Sequence, residues 1–329
     1  MSADPMTELP AGLTARPARL DDATAILDIV TACDIAVIGR PDYTAEDVAA
    51  DLRRPGLELE HDTLLVRGER GAASSVVAWA YCHDDGHGEP EADLYVHPEA
   101  RGAGALGPWV IAWIEHRAAE ILARGTEPDP HVSIGNWSSD TVRAGWLKRA
   151  GWRPVRTFYR MVVDLVPDTA VPELPAGVVV KAAGADEELR RAVHACVSEA
   201  FRDHWEATER TYEAFWDRAR AAAGYDPSMV WLVEVEGEPA AAQIGTAQMA
   251  AESTGWINYV AVRRDYRGLG LAKLLLRVGF AEFARRGWTH AQLAVDTENP
   301  TGALRLYESV GMRQKHAIDL WRKDLPAAG

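Results

Sequence analysis

A chain of 329 residues with 47% hydrophobic and 26% charged residues has an ordinary globular composition and is long enough for two domains. Its formal charge of −14 repels phosphate backbones and anionic membranes, so nucleic-acid binding is disfavoured and a cationic partner such as an amine is favoured. The first ten residues lack the basic and apolar regions of a signal peptide, and no apolar stretch is long enough to cross a bilayer. We therefore expect a cytoplasmic protein, with monomer and homodimer both open.

The chain has only three cysteines, Cys33, Cys82 and Cys196, which are too few for a disulfide framework. An odd, sparse set is typical of reduced thiols in the cytosol. Cys33 and Cys196 occupy like positions on the first helix of each half, which favours core packing over reactivity. No group of histidines and cysteines has the spacing of metal ligands, so we expect no metal site.

In chain order, one pattern of elements occurs twice, with a period of roughly 160 residues that suits a duplicated domain rather than a solenoid. Each copy has an amphipathic helix, a pair of apolar strands, a strand that runs into an Arg-Gly turn, a helix that ends at glycine, and a final strand. The amphipathic helices are 22–33 and 187–201, and the strand pairs are 63–66 with 76–81 in the first copy and 230–235 with 240–244 in the second. The strands with their Arg-Gly turns are 94–104 and 259–270. The helix ends are 150–152 and 310–312, and the final strands are 159–165 and 319–325. The mixture of strands and helices predicts an α/β fold, with a mixed, mostly antiparallel central sheet flanked by helices in each copy.

The join between the two copies is marked by prolines. Pro167, Pro172 and Pro175 lie in a short polar stretch, which predicts a stiff linker over residues 167–176. The predicted domains are therefore residues 1–166 and residues 177–329.

The segment 256–286 has the strongest local signal in the chain. A β-branched run, 257–262, leads into Arg267-Gly268-Leu269-Gly270, and apolar residues at helical spacing start at Leu271 and end before Gly287. A helix N-terminus presents N–H groups with no intrahelical partner, and glycine lets an anion approach the backbone closely. The segment therefore predicts an anion site, with a plain glycine turn between strand and helix as the alternative.

Two motifs in this half resemble the GNAT superfamily of N-acetyltransferases. The first, Arg267-x-x-Gly270-x-Ala272, is similar to the loop with which that family holds the pyrophosphate of acetyl-CoA. The second, Asn299 to Met312, is similar to the family's Asn-x-x-x-Ala-x-x-x-Tyr-x-x-x-Gly-Phe segment, with methionine in place of the final phenylalanine. The resemblance covers nearly all of 177–329 and is fainter in the first half, which implies two tandem GNAT-like domains.

The resemblance implies acetyl-CoA as the acyl donor and a set of residues that bind it. In the family, the strand before the loop separates from the next strand, the acyl arm inserts between them, and strand N–H groups polarise the acetyl carbonyl. The implied donor-binding residues are Val260, Ala261, Val262, Arg267, Gly268, Leu269, Gly270, Leu271, Ala272 and Asn299. Asn299 with Pro300 is also a good N-cap and first-turn pair for a helix.

Acetyl transfer to an amine needs a neutral amine and an acid for the departing thiolate. Tyr307 is the candidate general acid, because a phenol with a pKa of about 10 can donate to a thiolate with a pKa of about 8.5. The alternative is that its ring simply packs against the helix. Some GNAT enzymes carry a glutamate on the strand before the loop, whereas that stretch here reads Trp256-Ile257-Asn258, which leaves the base open.

The segment 203–206 lies where this family builds its acceptor site. His204 titrates in the right range and is a candidate base, with a structural role as the alternative. The predicted substrate residues are Asp203, Trp205, Glu206 and Asn258. Asp203 and Glu206 are expected to hold an ammonium group unless they are simply solvated. Trp205, Trp216, Trp231 and Trp256 either line the acceptor pocket or pack in the core.

The first half keeps the arginine and the glycines in Arg101-Gly102-Ala103-Gly104, but Leu106 replaces the small residue that follows. Pro108 removes one N–H group from the anion-facing turn. When the glycines that end the last helices are aligned, Leu147 stands opposite Tyr307, and leucine cannot protonate a thiolate. We expect a degenerate copy that supports the other half or holds an acyl-CoA without turnover.

The sequence thus predicts an N-acetyltransferase that moves an acetyl group from acetyl-CoA to a primary amine of a small molecule by direct attack. The alternatives are acetylation of protein N-termini or lysines, and acyl-CoA binding by a sensor without catalysis. Neither nucleic acid nor membrane is expected among its partners.

Overall fold

The computed structural model describes residues 8–54, 56–70, 73–84, 86, 88–125, 129–167, 169, 172–202, 204–205, 210–222, 224–299 and 301–325. The chain divides into two units: unit 1 comprises Met1–Thr157 with His316–Gly329, and unit 2 comprises Phe158–Lys315. Within the described part of the chain, every helix is too short or too polar to span a membrane.

Helices and strands are interspersed along the chain. The first half contains β1 (Thr14–Arg16), α1 (Ala23–Ile38), α2 (Ala45–Asp51), α3 (Leu59–Asp62), β2 (Thr63–Arg70), β3 (Ala73–His83), β4 (Glu91–Val96), α4 (Leu106–Leu122), β5 (His131–Trp137), α5 (Thr141–Arg149) and β6 (Arg153–Asp164). The second half contains β7 (Val178–Ala182), α6 (Glu187–Phe201), α7 (Tyr212–Ala221), β8 (Tyr225–Val235), β9 (Glu238–Thr246), β10 (Thr254–Val262), α8 (Leu271–Arg285), β11 (His290–Asp296), α9 (Ala303–Ser309) and β12 (Arg313–Asp324).

Each unit is built on a mixed sheet. The strand order is β1-β2-β3-β4-β5-β12 in unit 1 and β6-β11-β10-β9-β8-β7 in unit 2. The described pairs within a unit are antiparallel except for β4 with β5 and β10 with β11, which are parallel. The predicted α/β class, with a mostly antiparallel sheet flanked by helices in each copy, is confirmed.

The units are not consecutive stretches of chain, because each completes its sheet with the final strand of the other half. Residues 318–324 of β12 pair with β5 in unit 1, and residues 158–164 of β6 pair with β11 in unit 2. The two final strands share one pattern of exposed and buried positions, so either pattern suits either sheet edge. The predicted domains 1–166 and 177–329, with a linker at 167–176, follow chain order and therefore differ from the units at these strands.

Two turns in the second half of the chain have the backbone conformation that their residues favour. The turn between β8 and β9 has φ of 50° at Glu236 and 85° at Gly237, the left-handed pair that a two-residue hairpin turn requires. Helix α8 ends at the predicted terminator, Gly287, with φ of 81°. There the Trp288 N–H donates to the carbonyl of Phe283, which satisfies an otherwise unpaired carbonyl of the last turn.

In unit 2, two core clusters lie on opposite faces of the sheet. Val230 and Leu232 of β8 pack with α6 and α7, whereas Trp231 and Val233 pack with α8, because successive strand residues point to opposite faces. We call these the α6 face and the α8 face. Trp216 and Trp231 are buried in these clusters, so the pocket-lining interpretation is wrong for both.

All three cysteines are buried and free. Burial raises the pKa of Cys33 and Cys196 to about 11 and raises the pKa of Cys82 as well. Because the thiolate is the reactive form, we expect the native protein to react with an aromatic disulfide at about pH 8 at least ~100-fold more slowly than the denatured chain. Fast reaction of the native thiols would contradict their placement in the core.

Candidate active site

The parallel pairing of β10 and β11 stops part of the way along both strands. It joins residues 254–257 to residues 290–293, although β10 continues to Val262 and β11 to Asp296. Beyond Ile257 the described pairs of β10 are with β9 alone. We call the opening between residues 258–262 of β10 and residues 294–296 of β11 the unit 2 cleft.

A β-bulge at Asn258 marks the start of the cleft. On β9, Gly245 lies opposite Ile257 and Ile244 lies opposite Tyr259, so Asn258 is the extra residue. It is exposed. A bulge changes which side chains face each side of a sheet, and here Val260 joins Ile257 on the α8 face.

The register of β10 directs particular backbone groups into the cleft. The Arg263 N–H donates to the carbonyl of Ala240 at 3.0 Å, which makes this an inter-strand hydrogen-bonded pair. In an antiparallel ladder such pairs alternate with pairs whose N–H groups point away from the partner strand. By that alternation the N–H groups of Val260 and Val262 point away from β9 and into the cleft.

The loop that follows β10 leads to the N-terminus of α8. Gly268 and Gly270 have φ of 84° and 78°, a left-handed conformation that favours glycine, and a Cβ at either would meet nothing within 4 Å. Leu269 is 59% exposed. We call residues Arg267–Gly270 the donor loop. Its open surroundings give an anion room to reach the backbone.

The first turn of α8 is uncapped. Gly270 is the N-cap, and no side chain among the described residues caps the helix. The first intrahelical bond runs from the Leu274 N–H to the Gly270 carbonyl, so the N–H groups at 271–273 have no intrahelical partner. Arg267 is exposed, and its Nε donates to the Val262 carbonyl at 3.4 Å. A cation and free N–H groups at a helix start suit a diphosphate.

Tyr307 lies on α9 at the α8 face of the sheet. Its half-buried ring packs, together with Val260 and Val262, against the core cluster that contains Val295. Residues from both edges of the cleft thus share one cluster with Tyr307. Burial raises the pKa of Tyr307 to about 12, so the phenol is neutral throughout the physiological range.

Asn299 does not cap a helix. Helix α9 begins at Ala303 with Gly302 as its N-cap, so the capping role is wrong for this residue. The Asn299 Oδ1 instead accepts hydrogen bonds from the backbone N–H and the hydroxyl of Thr301, which is an Asx turn. A short polar side chain competes with helix initiation in this way. Pro300 lies outside the described residues.

The other end of the Asn299 amide reaches His204, 95 positions earlier in the chain. Because Oδ1 accepts from a backbone N–H, the Asn299 Nδ2 faces the His204 Nε2, at 3.4 Å. The amide nitrogen is a donor only, so a hydrogen bond between these atoms requires the tautomer with the ring proton on Nδ1 and the His204 Nε2 as acceptor. The fold thus brings together a predicted donor-binding residue and the candidate base.

Aromatic side chains hold His204 in place on the α6 face. Its ring stacks on Phe201 with centroids 4.3 Å apart, and Phe201 in turn contacts Tyr259 edge-on at 5.4 Å. Trp205 is half-buried and follows His204 in the chain. Two predicted substrate residues, Asp203 and Glu206, lie outside the described residues. The fourth, Asn258, lies at the bulge one position before Tyr259.

Glu199, which the sequence did not single out, ties α6 to the entrance of the donor loop. Its Oε2 accepts from the Arg263 Nε at 2.7 Å, and its Oε1 accepts from the backbone N–H of Arg264 at 3.0 Å. Hydrogen bonding to Arg263 holds the pKa of Glu199 below its usual range. Glu199 is an ordinary surface position by helical spacing, and its partners lie more than 60 positions away, so no local pattern reveals this role.

The described residues contain no group of three or more His, Cys, Asp or Glu side chains arranged to hold a metal ion. The functional groups described around the cleft include backbone N–H groups, the phenol of Tyr307, the imidazole of His204, the amide of Asn299 and charged side chains.

Comparison with known proteins identifies relatives of both halves. The model of the Acetyltransferase (GNAT) family matches residues 190–312. A mycothiol acetyltransferase of Streptomyces scabiei (strain 87.22) is 30% identical over 313 residues, which are 93% of this chain and 94% of the relative. The match extends over both units rather than the second alone.

Solved structures agree. A GCN5-related N-acetyltransferase from Sphaerobacter thermophilus superimposes with a TM-score of 0.82 at 30% identity and covers 98% of each chain. A tandem GNAT protein from the clavulanic acid biosynthesis pathway shares the fold, with a TM-score of 0.71 at 16% identity over 96% of this chain and 100% of its own. Two sheets of this kind in one chain are thus a known arrangement.

A glycine loop and a helix N-terminus that meet an opening between two parallel strands suit an acyltransferase whose acyl donor carries a diphosphate. The chain belongs to the GNAT acetyltransferase family, and it is an enzyme, an acyl-CoA-dependent N-acetyltransferase. The tandem GNAT type that two sequence motifs predicted is confirmed.

We expect Glu199→Ala to raise the KM for the acyl-CoA several-fold with little change in kcat, because Glu199 caps the turn that leads into the donor loop. Glu199→Gln keeps an oxygen for the Arg264 N–H and should rescue most of the effect. Because the pKa of Glu199 is lowered, its carboxylate keeps these hydrogen bonds through neutral pH and loses them only as the pH falls through that lowered value.

Steady-state kinetics with varied acyl-CoA tests this role. Glu234→Ala is the matched control, since Glu234 accepts from Lys181 at 2.7 Å on strands β8 and β7. An equal rise in KM for both variants, or a loss confined to kcat, would rule out positioning of the donor loop by Glu199.

Proposed function

We propose that this enzyme transfers the acetyl group of acetyl-CoA to a primary amine of a small molecule by direct attack. The observation that carries the proposal is the unit 2 cleft itself, where the pairing of β10 and β11 stops and the N–H groups of Val260 and Val262 point into the opening. The cleft opens beside the donor loop and the uncapped start of α8. An acyl donor that lies along it would meet the diphosphate site and the strand N–H groups in order.

In this proposal the donor loop and the first turn of α8 hold the diphosphate. The N–H groups of Leu271 and Ala272, with the Arg267 guanidinium, supply charge-assisted donors worth ~1.5–3 kcal/mol each. Val260 and Val262 would donate to the acetyl oxygen, where negative charge develops during attack. Fixed donors of this type contribute ~10²–10³ in rate.

Tyr307 is the proposed general acid. A neutral phenol can donate a hydrogen bond to the sulfur as the thiolate departs. Complete proton transfer from a phenol of pKa about 12 to a thiolate of pKa about 8.5 costs roughly 5 kcal/mol. The contribution of Tyr307 is therefore hydrogen-bond donation as charge develops on sulfur, and the released thiolate takes its proton from solvent.

His204 is the proposed base. An alkylamine of pKa about 10.4 needs roughly 4.6 kcal/mol to become neutral at pH 7, so a positioned acceptor lowers this barrier. The His204 Nε2 is already the acceptor nitrogen, and its 3.4 Å contact with Asn299 is long enough for a shorter hydrogen bond to replace it. Asn299 then serves to orient the ring rather than to take the proton.

The acceptor is proposed to bind on the α6 face, between His204 and the bulge at Asn258. Phe201 and Tyr259 provide an aromatic wall there, and the formal charge of −14 attracts a cationic amine. Asp203, Trp205 and Glu206 are kept as proposed acceptor-binding residues from their place in the chain. Relatives named mycothiol acetyltransferase support a small-molecule acceptor.

A screen of amines with acetyl-CoA tests the proposal. Free CoA thiol is measured in real time, and the acetylated acceptor is identified by its mass. Amino sugars, amino acids and aminoacyl conjugates form one arm, and peptides with free N-termini or lysines form the other. We expect turnover in the first arm. Turnover confined to the peptides would move the assignment to a protein acetyltransferase, and no turnover with any amine would remove it.

A further inference from the structure

Unit 1 has a cleft with the same origin as the unit 2 cleft. The parallel pairing of β4 and β5 joins only Glu91 to Ser133 and Ala92 to Ile134, although β4 continues to Val96 and β5 continues to Trp137. We call the opening between residues 93–96 and residues 135–137 the unit 1 cleft. The strands of both units thus separate at the place where the family accepts an acyl arm.

The loop after β4 also keeps the geometry of the donor loop. The Arg101 Nε donates to the Val96 carbonyl at 2.9 Å, as the Arg267 Nε donates to the Val262 carbonyl at 3.4 Å. Each arginine lies five positions after the strand residue that it contacts. The two loops therefore correspond in structure as well as in sequence.

The unit 1 cleft, however, is filled by a side chain of its own unit. Arg143 of α5 is 6% exposed, and its Nη2 donates to the Asp93 Oδ1 on β4 at 2.6 Å and to the carbonyl of Gly135 on β5. One guanidinium thereby bridges the two separated strands. The Tyr95 hydroxyl donates to the other oxygen of Asp93 at 2.9 Å and completes the network.

The cation of this loop is also neutralised. The Arg101 Nη1 donates to both carboxylate oxygens of Asp140, at 3.0 and 2.9 Å, and Asp140 is 5% exposed. Asp140 caps α5 as well, since its Oδ1 accepts from the Arg143 N–H. Arg267 in unit 2 is exposed, so an anion from solvent can reach its guanidinium. The loop of unit 1 is thus tied to α5 through Arg101, whereas Arg267 of the donor loop faces solvent.

One position of the repeat accounts for the difference. Arg143 lies four residues before Leu147, and Ala303 lies four residues before Tyr307, when the glycines that end these segments are aligned. Ala303 is small and packs at the edge of the unit 2 core. An arginine in the place of that alanine therefore carries a guanidinium into the space between the strands.

We infer that Arg143 closes the unit 1 cleft, so that unit 1 binds no acyl-CoA and the chain has a single acyl-donor site. The bridge satisfies backbone and carboxylate groups that separated strands would otherwise leave to a ligand or to water. Unit 1 keeps the fold while its cleft is held shut from within. This inference concerns unit 1 and goes beyond the function proposed for unit 2.

Transfer of the arginine to unit 2 tests whether this position closes a cleft. We expect Ala303→Arg to weaken acetyl-CoA binding at least ~100-fold by calorimetry. Ser309→Arg adds the same side chain at an exposed position of the same helix, and its binding should stay within about twofold of wild type. Wild-type affinity in Ala303→Arg would overturn the inference that an arginine at this position blocks an acyl donor.

Hydrogen exchange tests unit 1 directly, whether or not unit 2 proves to bind acetyl-CoA. We expect Arg143→Ala to speed exchange of the amides at 93–96 and 135–137 at least ~10-fold while unit 2 amides keep their protection. Asp93→Asn, which keeps the side-chain volume, should do the same to a smaller extent if Arg143→Ala fails to fold. Unchanged exchange in both variants would overturn the closure.

The same measurement with ligand separates this inference from the proposed function. Saturating acetyl-CoA should leave exchange in the unit 1 cleft unchanged and slow it around the donor loop. Protection of residues 93–96 by acetyl-CoA, or binding that survives Gly270→Glu, would show an open unit 1 cleft and overturn the inference while the proposed function stands. If acetyl-CoA does not bind at all, the proposed function is wrong. The hydrogen exchange of the Arg143→Ala variant then still tests whether Arg143 closes the unit 1 cleft.

Discussion

Replacement of Tyr307 by phenylalanine is expected to lower kcat ~10²–10³-fold and to leave the Kd for acetyl-CoA within about twofold. The variant keeps the ring that packs beside Val260 and Val262 and removes only the hydroxyl. Its loss therefore reports hydrogen-bond donation to the departing thiolate rather than packing. The measurement is single-turnover acetyl transfer together with calorimetric binding of acetyl-CoA.

The pH profile gives an independent check of the same residue. Burial raises the pKa of Tyr307 to about 12, and the protonated phenol is the form that donates. Activity that depends on it is thus fully present below that value and is lost only above it, so the wild type should show no descending limb up to about pH 10. A limb near neutrality that disappears in Tyr307→Phe would contradict the raised pKa.

Tyr225→Phe is the matched control, because Tyr225 is also a half-buried tyrosine with a raised pKa, but it lies on β8. We expect its kcat to equal that of the wild type. Equal losses in both variants would mean that removal of a buried hydroxyl, rather than acid catalysis, slows the enzyme. Full activity in Tyr307→Phe would exclude Tyr307 as the acid.

Introduction of a carboxylate by Gly270→Glu is expected to abolish acetyl-CoA binding. The added carboxylate would compete for the N–H groups at the start of α8 and repel the diphosphate. Loss of two charge-assisted hydrogen bonds amounts to roughly 3–6 kcal/mol, or about 10²- to 10⁴-fold in Kd. Calorimetric titration measures the change.

Gly287→Glu supplies a control with the same backbone cost. Gly287 lies after the other end of α8 with φ of 81°, against 78° at Gly270, and a Cβ at either position has open space around it. Both variants should lose similar thermal stability, while Gly287→Glu keeps its affinity. If both lost binding together, the defect would be in folding and the donor loop would not be the binding site.

The sequence predicted the parts of the fold that depend on neighbouring residues. The helix expected over 187–201 coincides with α6, and α8 begins and ends where the glycines at 270 and 287 indicated. These signals are local, because a glycine at positive φ and an apolar spacing each act within one or two turns of a helix. The two-residue turn at Glu236 and Gly237 was predictable for the same reason.

The features that the sequence missed depend on partners distant in the chain. The exchange of β6 and β12 between the sheets has no local signature, since both strands share one burial pattern. Glu199 is a surface residue of α6 until the fold brings Arg263 to it. The capping role predicted for Asn299 was wrong for a different reason. Its side chain can cap a helix or form an Asx turn, and here it accepts a hydrogen bond from the Thr301 N–H.

Motif comparison of the halves found one substitution in unit 1 and overlooked another. Leu147 in the place of Tyr307 was evident from the alignment, because it removes a group that the chemistry needs. Arg143 in the place of Ala303 was not evident, since an arginine on a helix is usually a solvated surface residue. Its burial between two separated strands is a property of the fold.

The most direct test is the stoichiometry of acetyl-CoA binding to the wild-type chain, measured by calorimetry with the active concentration of protein fixed independently. We predict one site per chain, supplied by the donor loop of unit 2. Two sites per chain would contradict the closure of unit 1, and no binding would contradict the assignment of the unit 2 cleft to an acetyl donor.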